Sequence, residues 1–382
     1  MISISRLLCD SVSFGDQLRY KDTAISLRRP IVIWNVSQRC NLNCIHCYSD
    51  SHNRLYSGEL STEEAKGMIR GLAEFNVPVL LFSGGEPLLR KDLFELNRFA
   101  KELGLRTVIS TNGTLISEVI ARQIKEAGFD YVGISLDGIA ENNDRFRGKK
   151  GAFKQALLGL RNLNALNQKA GLRFTITRHN YSDLPAIFKL VEDENIGRVC
   201  FYHLVYAGRG IQMLKDDLTH PEMRECLDLI CDWAQSLKKC GINKEVLTVD
   251  NHADGPYIYL KLKKKDPQRA KQVLKLLRDN GGNSSGMAIA NIDSRGFVHP
   301  DQFWQGHSFG NIKERPFGQI WQDTSEQLMR ILKNRKPHLR GRCKNCGFLD
   351  ICNGNFRIRA ESVYNDIWQQ DPACYLTDEE IK

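Results

Sequence analysis

The run Ile31-Val-Ile-Trp-Asn-Val36 leads directly into Cys40-Asn-Leu-Asn-Cys44-Ile-His-Cys47, and Val77-Pro-Val-Leu-Leu-Phe82 leads into Ser83-Gly84-Gly85-Glu86-Pro87. The first run is β-branched, and the second is apolar at nearly every position, as a strand buried on both faces must be. Between them Ser61-Thr-Glu-Glu64 is a capping box that opens a helix toward Phe75. Strand, helix, strand is one βαβ unit, and each strand ends in a loop rich in chemistry.

The same alternation continues outward from this unit. Helix is expected over 91–103, 115–127, 153–166 and 184–194, and strand over 106–110, 131–136, 172–177 and 198–203. Six strands with five crossovers, at a period near thirty residues, imply one parallel sheet. The expected class is α/β: a curved, partly open (β/α)6 barrel related to the TIM barrel, with its site at the strand C-termini. After about residue 210 the alternation stops. Helices are expected over 221–239 and 268–278, a short strand over 246–249, and a glycine-rich hairpin around Arg295-Gly296. The division expected is an N-terminal arm over 1–30, a barrel core over 31–240, and linker helices with a smaller cysteine-bearing domain over 241–382.

Composition narrows the function. With 54 Lys and Arg against 45 Asp and Glu, the chain carries a net charge of +9, which favours anionic partners. The densest basic stretch, Lys261 to Arg278, keeps the apolar stripe Val273, Leu274 and Leu277, and it lacks the aromatic interleaving that stacks bases. Nucleic acid is therefore not expected. No apolar run approaches a membrane span and no secretory h-region opens the chain, so a cytoplasmic, membrane-free protein is expected. In that setting twelve cysteines read as metal or redox chemistry rather than as disulfides. Seven of them fall into two clusters, and Cys9, Cys200, Cys226, Cys231 and Cys240 read as small buried hydrophobes.

Cys40, Cys44 and Cys47, spaced C-x3-C-x2-C, can hold three irons of a cubane and leave the fourth open, whereas electron-transfer clusters use four cysteines. A zinc loop borrowing His46 or His52 is the alternative. Gly84 and Gly85 permit close backbone approach to a ligand, and Glu86 offers a carboxylate to an ammonium. Cys343, Cys346, Cys352 and Cys374 supply four thiolates, enough to close a cubane or to bind zinc.

The cysteine loop followed by Gly84-Gly85-Glu86-Pro87 resembles the radical S-adenosylmethionine (SAM) superfamily, with His46 at a position usually aromatic. That resemblance implies SAM on the open iron, contacted by Gly84, Gly85, Glu86, Pro87, Asn112, Ser135 and Asp137, with Arg147 near the methionine carboxylate. The second cluster resembles the SPASM or twitch extensions that hold auxiliary [4Fe–4S] clusters. Asp301 stands where the full SPASM pattern has a cysteine, so one auxiliary cluster is implied, and two [4Fe–4S] clusters in all.

A closer resemblance spans nearly the whole chain, through Gly15–Tyr20, Phe201–Gly210, Leu247–Gly255, Asp301–Trp304 and Asp371–Asp378. It is to the radical SAM enzymes of haem biosynthesis that trim siroheme-derived tetrapyrroles. The implied substrate is an iron tetrapyrrole, didecarboxysiroheme, losing two acetate arms to give iron-coproporphyrin. A sister branch of haem d1 synthesis removes propionates, and a SPASM peptide maturase is a further alternative. The non-enzyme alternative is a zinc-binding scaffold. An electron donor such as ferredoxin or flavodoxin is implied as partner. Candidate substrate residues are His203, Tyr206, Arg209, His252 and Trp304, with Phe201, Tyr202 and Phe303 as candidate apolar walls.

Overall fold

The computed structural model describes residues 1–382. Ten strands form one sheet: β1 (Ile2–Ser3), β2 (Ile31–Asn35), β3 (Leu80–Ser83), β4 (Thr107–Thr111), β5 (Tyr131–Ser135), β6 (Ala170–Ile176), β7 (Arg198–His203), β8 (Glu245–Val249), β9 (Ile289–Ile292) and β10 (Val298–His299). Their order is β1-β8-β7-β6-β5-β4-β3-β2-β9-β10, and only the two end strands run antiparallel to their neighbours. The sheet curls around a lumen without closing, because β1 and β10 remain edges.

Alternation along each strand divides the core. Val32, Trp34, Leu80, Phe82, Ile109, Val132, Ile134, Leu172 and Phe174 turn outward under the helices and are fully buried. Ile33, Leu81, Val108, Tyr131, Cys200, Tyr202 and Leu247 turn inward onto a cavity of about 660 Å³. The expected capping box is present: the Ser61 hydroxyl accepts from the Glu64 N–H and the Glu64 carboxylate accepts from the Ser61 N–H, opening Thr62–Glu74. No helix is long and apolar enough to cross a membrane.

Six of the strands, β2 to β7, are those expected from the periodicity. The sheet extends further on both sides. β8 pairs parallel with β7, and β9 pairs parallel with β2, so two strands beyond residue 240 are part of the barrel wall. The N-terminal arm is also structural: Ile2 and Ser3 pair with Thr248 and Leu247, and Ile4 and Leu7 of the following helix are fully buried. β8 is the short strand expected over 246–249, and β9 and β10 form the hairpin expected around Arg295-Gly296. What the alternation did not reveal is that these strands, with the two-residue β1, join the same sheet. The basic stretch forms two helices, Asp254–Lys265 and Pro267–Asn280, broken where Pro267 cannot continue the first.

Candidate functional site

The cysteine loop leaves the C-terminal end of β2 and is clamped by backbone from three directions. The N–H groups of Gly85 and Glu86 donate to the carbonyls of Ser37 and Arg39 at 2.8 Å each. Asn43 and Ile45 donate to the carbonyls of Arg147 and Phe146, and the Arg209 Nε donates to the Cys44 carbonyl at 2.9 Å. Gly84 sits at φ 126°, and a side chain on either glycine would drive into the Val36–Arg39 backbone. The close approach expected of these glycines is thus to the cysteine loop itself, while their other side lines the cavity.

Cys40 and Cys44 are buried and Cys47 half-buried, and the three thiols share one another's field. Donors already face the sulfurs: the Leu42 N–H reaches Cys40 Sγ at 3.5 Å, the Ser51 N–H reaches Cys47 Sγ at 3.5 Å, and the Arg147 guanidinium reaches Cys44 Sγ at 3.7 Å. Burial pushes the Cys40 thiol up to about 12 and raises Cys44 as well. Free thiolates are therefore disfavoured, and a bound cationic centre is what would keep them ionised. Neither histidine serves as a fourth ligand. The His46 ring packs tilted against Phe146 and faces Asp137 Oδ2 at 3.4 Å, and His52 Nε2 lies against Asp50 and Arg209. No group of three or more His, Cys, Asp or Glu side chains is gathered as around a single ion. Three thiols with no fourth protein ligand fit a cubane with one open iron.

Around this loop the structure gathers the residues expected to meet SAM. Gly84, Gly85, Asn112, Ser135 and Arg147 all line the cavity. Asn112 Nδ2 donates to Asn41 Oδ1 at 2.9 Å and points toward Cys40 Sγ at 3.9 Å. Glu86 is placed differently from expectation. It is fully buried, with Oε1 accepting from Thr111 Oγ1 at 2.7 Å and Oε2 from the Asn112 N–H at 2.8 Å, so it fixes the end of β4 instead of offering a free carboxylate. Burial raises its carboxyl to about 7. Pro87 follows as the first residue of a short 3-10 turn and is buried. Asp137, fully buried, accepts the Thr175 N–H at 2.7 Å and pairs with Arg147.

The five candidate substrate residues separate into two groups. His203 and His252 line the cavity. His203 Nε2 bonds Asp254 at 2.9 Å, and both imidazoles keep a buried Nδ1 without a partner. Tyr206, Arg209 and Trp304 do not reach the lumen. Tyr206 donates to Asp217 at 2.7 Å among Phe146, Leu204 and Met213; Arg209 braces the cysteine loop; Trp304 is fully buried and donates to Glu361 at 2.6 Å. The Tyr206 hydroxyl, the Trp304 indole N–H and the Arg209 Nε and Nη1 have protein partners, which sequence alone does not disclose. Of the candidate walls, Tyr202 and Phe303 line the lumen, whereas Phe201 is core against Phe174 and Phe188. Tyr206→Phe, which leaves the buried Asp217 carboxylate without its donor, is expected to lower stability by about 1–3 kcal/mol and to leave the KM unchanged. A urea titration and a steady-state assay check the two halves.

Sequence reasoning passed over Arg173, Tyr131 and Asp250, which also line the lumen. A charged residue at an inward position of an otherwise apolar parallel strand was the available signal for Arg173. Asp250 ends β8 at φ 69°, and burial raises its carboxyl to about 7.

The second cysteine set lies in the C-terminal segment. Cys343 and Cys346 flank the end of a 3-10 turn over Gly341–Asn345, Cys352 ends the helix Leu349–Cys352, and Cys374 follows Asp371. Cys352 feels the other three thiols, and its own is driven well up by burial. Four thiols that converge on Cys352 have the chemistry to hold a cluster. Asp301 accepts from Ser285 Oγ and from the N–H groups of Phe303 and Trp304, capping a turn at the lumen wall. Arg359, fully buried, joins this region to the barrel: it pairs with Asp371 and donates to the carbonyls of Leu204 and Asp250.

Comparison with known proteins agrees with this geometry. Residues 34–191 match the family described as the radical SAM superfamily, and residues 285–347 match SPASM, an iron–sulfur cluster-binding domain. The chain is 54% identical to Fe-coproporphyrin III synthase of Methanosarcina barkeri, covering 100% of this chain and 99% of that one. It is 43% identical to pre-heme d1 synthase of Dinoroseobacter shibae, over 91% of this chain and 87% of the other. Among solved structures, Streptococcus suis SuiB bound to S-adenosylmethionine superposes with a TM-score of 0.72 at 17% identity, covering 91% of this chain and 78% of that one.

Proposed function

Because this chain belongs to the radical SAM superfamily, we propose that it is a haem-biosynthetic enzyme that removes acetate arms from didecarboxysiroheme to give iron-coproporphyrin. Cys40, Cys44 and Cys47 would hold the SAM-binding [4Fe–4S] cluster, and Cys343, Cys346, Cys352 and Cys374 a second one. When bound, the cluster and SAM supply a deoxyadenosyl radical that takes hydrogen from the substrate; the hard chemistry is the cofactor's. The chain's own residues supply position and shelter. The backbone clamps fix the thiols, Asn112 and Arg147 orient groups beside them, and the lumen excludes water from the reacting arm.

The observation that carries this reading is a three-thiol loop opening onto a lumen that also presents guanidinium groups and aromatic rings. A substrate with several carboxylates and a flat apolar ring needs both. The greater likeness to the coproporphyrin enzyme than to the haem d1 enzyme supports acetate rather than propionate as the arm removed. An electron donor of the ferredoxin or flavodoxin class would deliver the reducing equivalent.

Anaerobically reconstituted protein incubated with SAM, reductant and didecarboxysiroheme is expected to yield a tetrapyrrole lighter by two acetate arms, read by mass spectrometry. Loss of propionates would move it to the haem d1 branch. An unchanged tetrapyrrole beside released deoxyadenosine would turn the search to peptides.

A further inference from the structure

The arginines of the lumen are not alike. Arg147 is paired with Asp137, and Arg19 and Arg198 are both paired with Glu245. At the mouth opposite the cysteine loop, Arg28 donates to main-chain carbonyls, and Arg29 and Arg106 lie over the rings of Phe75 and Phe14. Arg173, which like Arg29 and Arg106 carries no ion pair, stands within the sheet rather than at that mouth. It projects inward from the middle of β6, and its one hydrogen bond is from a guanidinium nitrogen to Ser110 Oγ at 2.7 Å. No carboxylate is in an ion pair with it, and its guanidinium lies over the Tyr202 ring at 6.0 Å.

Arg173 is half-buried on the lumen wall, and a guanidinium, which stays charged when partly desolvated, gains from a counter-ion there. The wall around it is shaped to admit it: a side chain at Gly133, on the neighbouring strand, would collide with the Arg173 guanidinium. A second group independently lacks a partner. The Tyr131 hydroxyl, on a residue 8% exposed, is buried on the same lumen wall with no hydrogen bond. Together they present N–H and O–H donors with no acceptor supplied by the protein, which is the arrangement a carboxylate completes.

We propose that Arg173, with the Tyr131 hydroxyl, is the point in the lumen that captures one carboxylate arm of the substrate. The assignment rests on the tetrapyrrole reading above and adds to it the residue that grips the macrocycle by an arm. Capture there fixes how the ring is turned beneath the cysteine loop, and so which arm is presented for hydrogen abstraction.

Equilibrium binding of didecarboxysiroheme, followed by its optical spectrum without reductant, tests this directly. Arg173→Gln is expected to weaken binding about 10- to 100-fold, the loss of a charge-assisted contact, and Arg173→Lys to recover part of it. Gly133→Ala, which displaces the guanidinium without removing it, is expected to weaken binding in the same direction. The cluster spectrum and the SAM affinity of each variant report whether the fold is intact. Equal binding by wild type and Arg173→Gln would overturn the assignment while leaving the substrate reading standing. Failure of wild type to bind the tetrapyrrole would overturn that reading and this assignment with it. A drop in SAM affinity with tetrapyrrole binding unchanged would give the guanidinium to the SAM carboxylate instead, which also overturns it.

Discussion

Cys44→Ala is expected to form no deoxyadenosine from SAM. The backbone at Cys44 is held by the Arg209 guanidinium on its carbonyl, and the neighbouring Asn43 and Ile45 are held by Arg147 and Phe146. None of these bonds uses the thiol, so the loop keeps its path when the sulfur is removed. What is lost is one of the three proposed metal ligands in a set with no reserve, since His46 and His52 are turned to Asp137 and Asp50. Removing a group that merely supports a ligand costs roughly 10- to 100-fold, and losing the ligand itself exceeds that. The measurement is deoxyadenosine release by anaerobic protein, beside iron content and a melting curve. Release at the wild-type rate would contradict the whole assignment of the loop.

The second large effect is on stability. Arg359 and Asp371 form an ion pair with both side chains fully buried, and Arg359 also donates to the carbonyls of Leu204 and Asp250 at 3.0 and 2.6 Å. Asp371 in turn accepts the N–H groups of Phe356 and Ala373 at 2.9 Å each. Asp371→Ala strands a desolvated guanidinium and two N–H groups, so it is expected to destabilise the protein by about 3–5 kcal/mol. Asp371→Asn, which keeps acceptor atoms in place, is expected to cost less. The urea midpoint of anaerobic, iron-loaded protein reports both. Because Asp371 also precedes Cys374, the alanine variant is expected to hold less iron. A shift below about 1 kcal/mol would mean that water replaces the carboxylate at Arg359.

Much of this was legible in the chain. The βαβ period identified β2 to β7 because each strand is bracketed by an amphipathic helix, and the spacing of Cys40, Cys44 and Cys47 singled out the loop that opens on the lumen because that loop is local. Residues whose roles depend on distant partners were not legible. Glu86 was expected to face a ligand but spends both oxygens on Thr111, Leu88 and Asn112, a consequence of where β4 ends beside it. Tyr206 and Trp304 resembled substrate walls until Asp217 and Glu361 appeared as their partners. Arg173 was passed over although its charge at an inward position of β6 was visible, because its lack of a carboxylate partner shows only in the assembled lumen.

The way the sheet is finished at its two ends bears on how the molecule comes apart. One end is completed by residues 2–3 against β8, and the other by residues 289–299 against β2, so the first and last thirds of the chain each hold an edge of the same wall. A fragment spanning only 31–240 would lose β8 and β9 and expose the unsatisfied backbone of β7 and β2, an invitation to intermolecular pairing. The barrel and its cysteine-bearing extension are therefore expected to melt as one cooperative body, because β1 and β9 each pair with strands more than two hundred residues away. Folding on such a plan is expected to be slow, since those long-range pairings must form before the wall is complete.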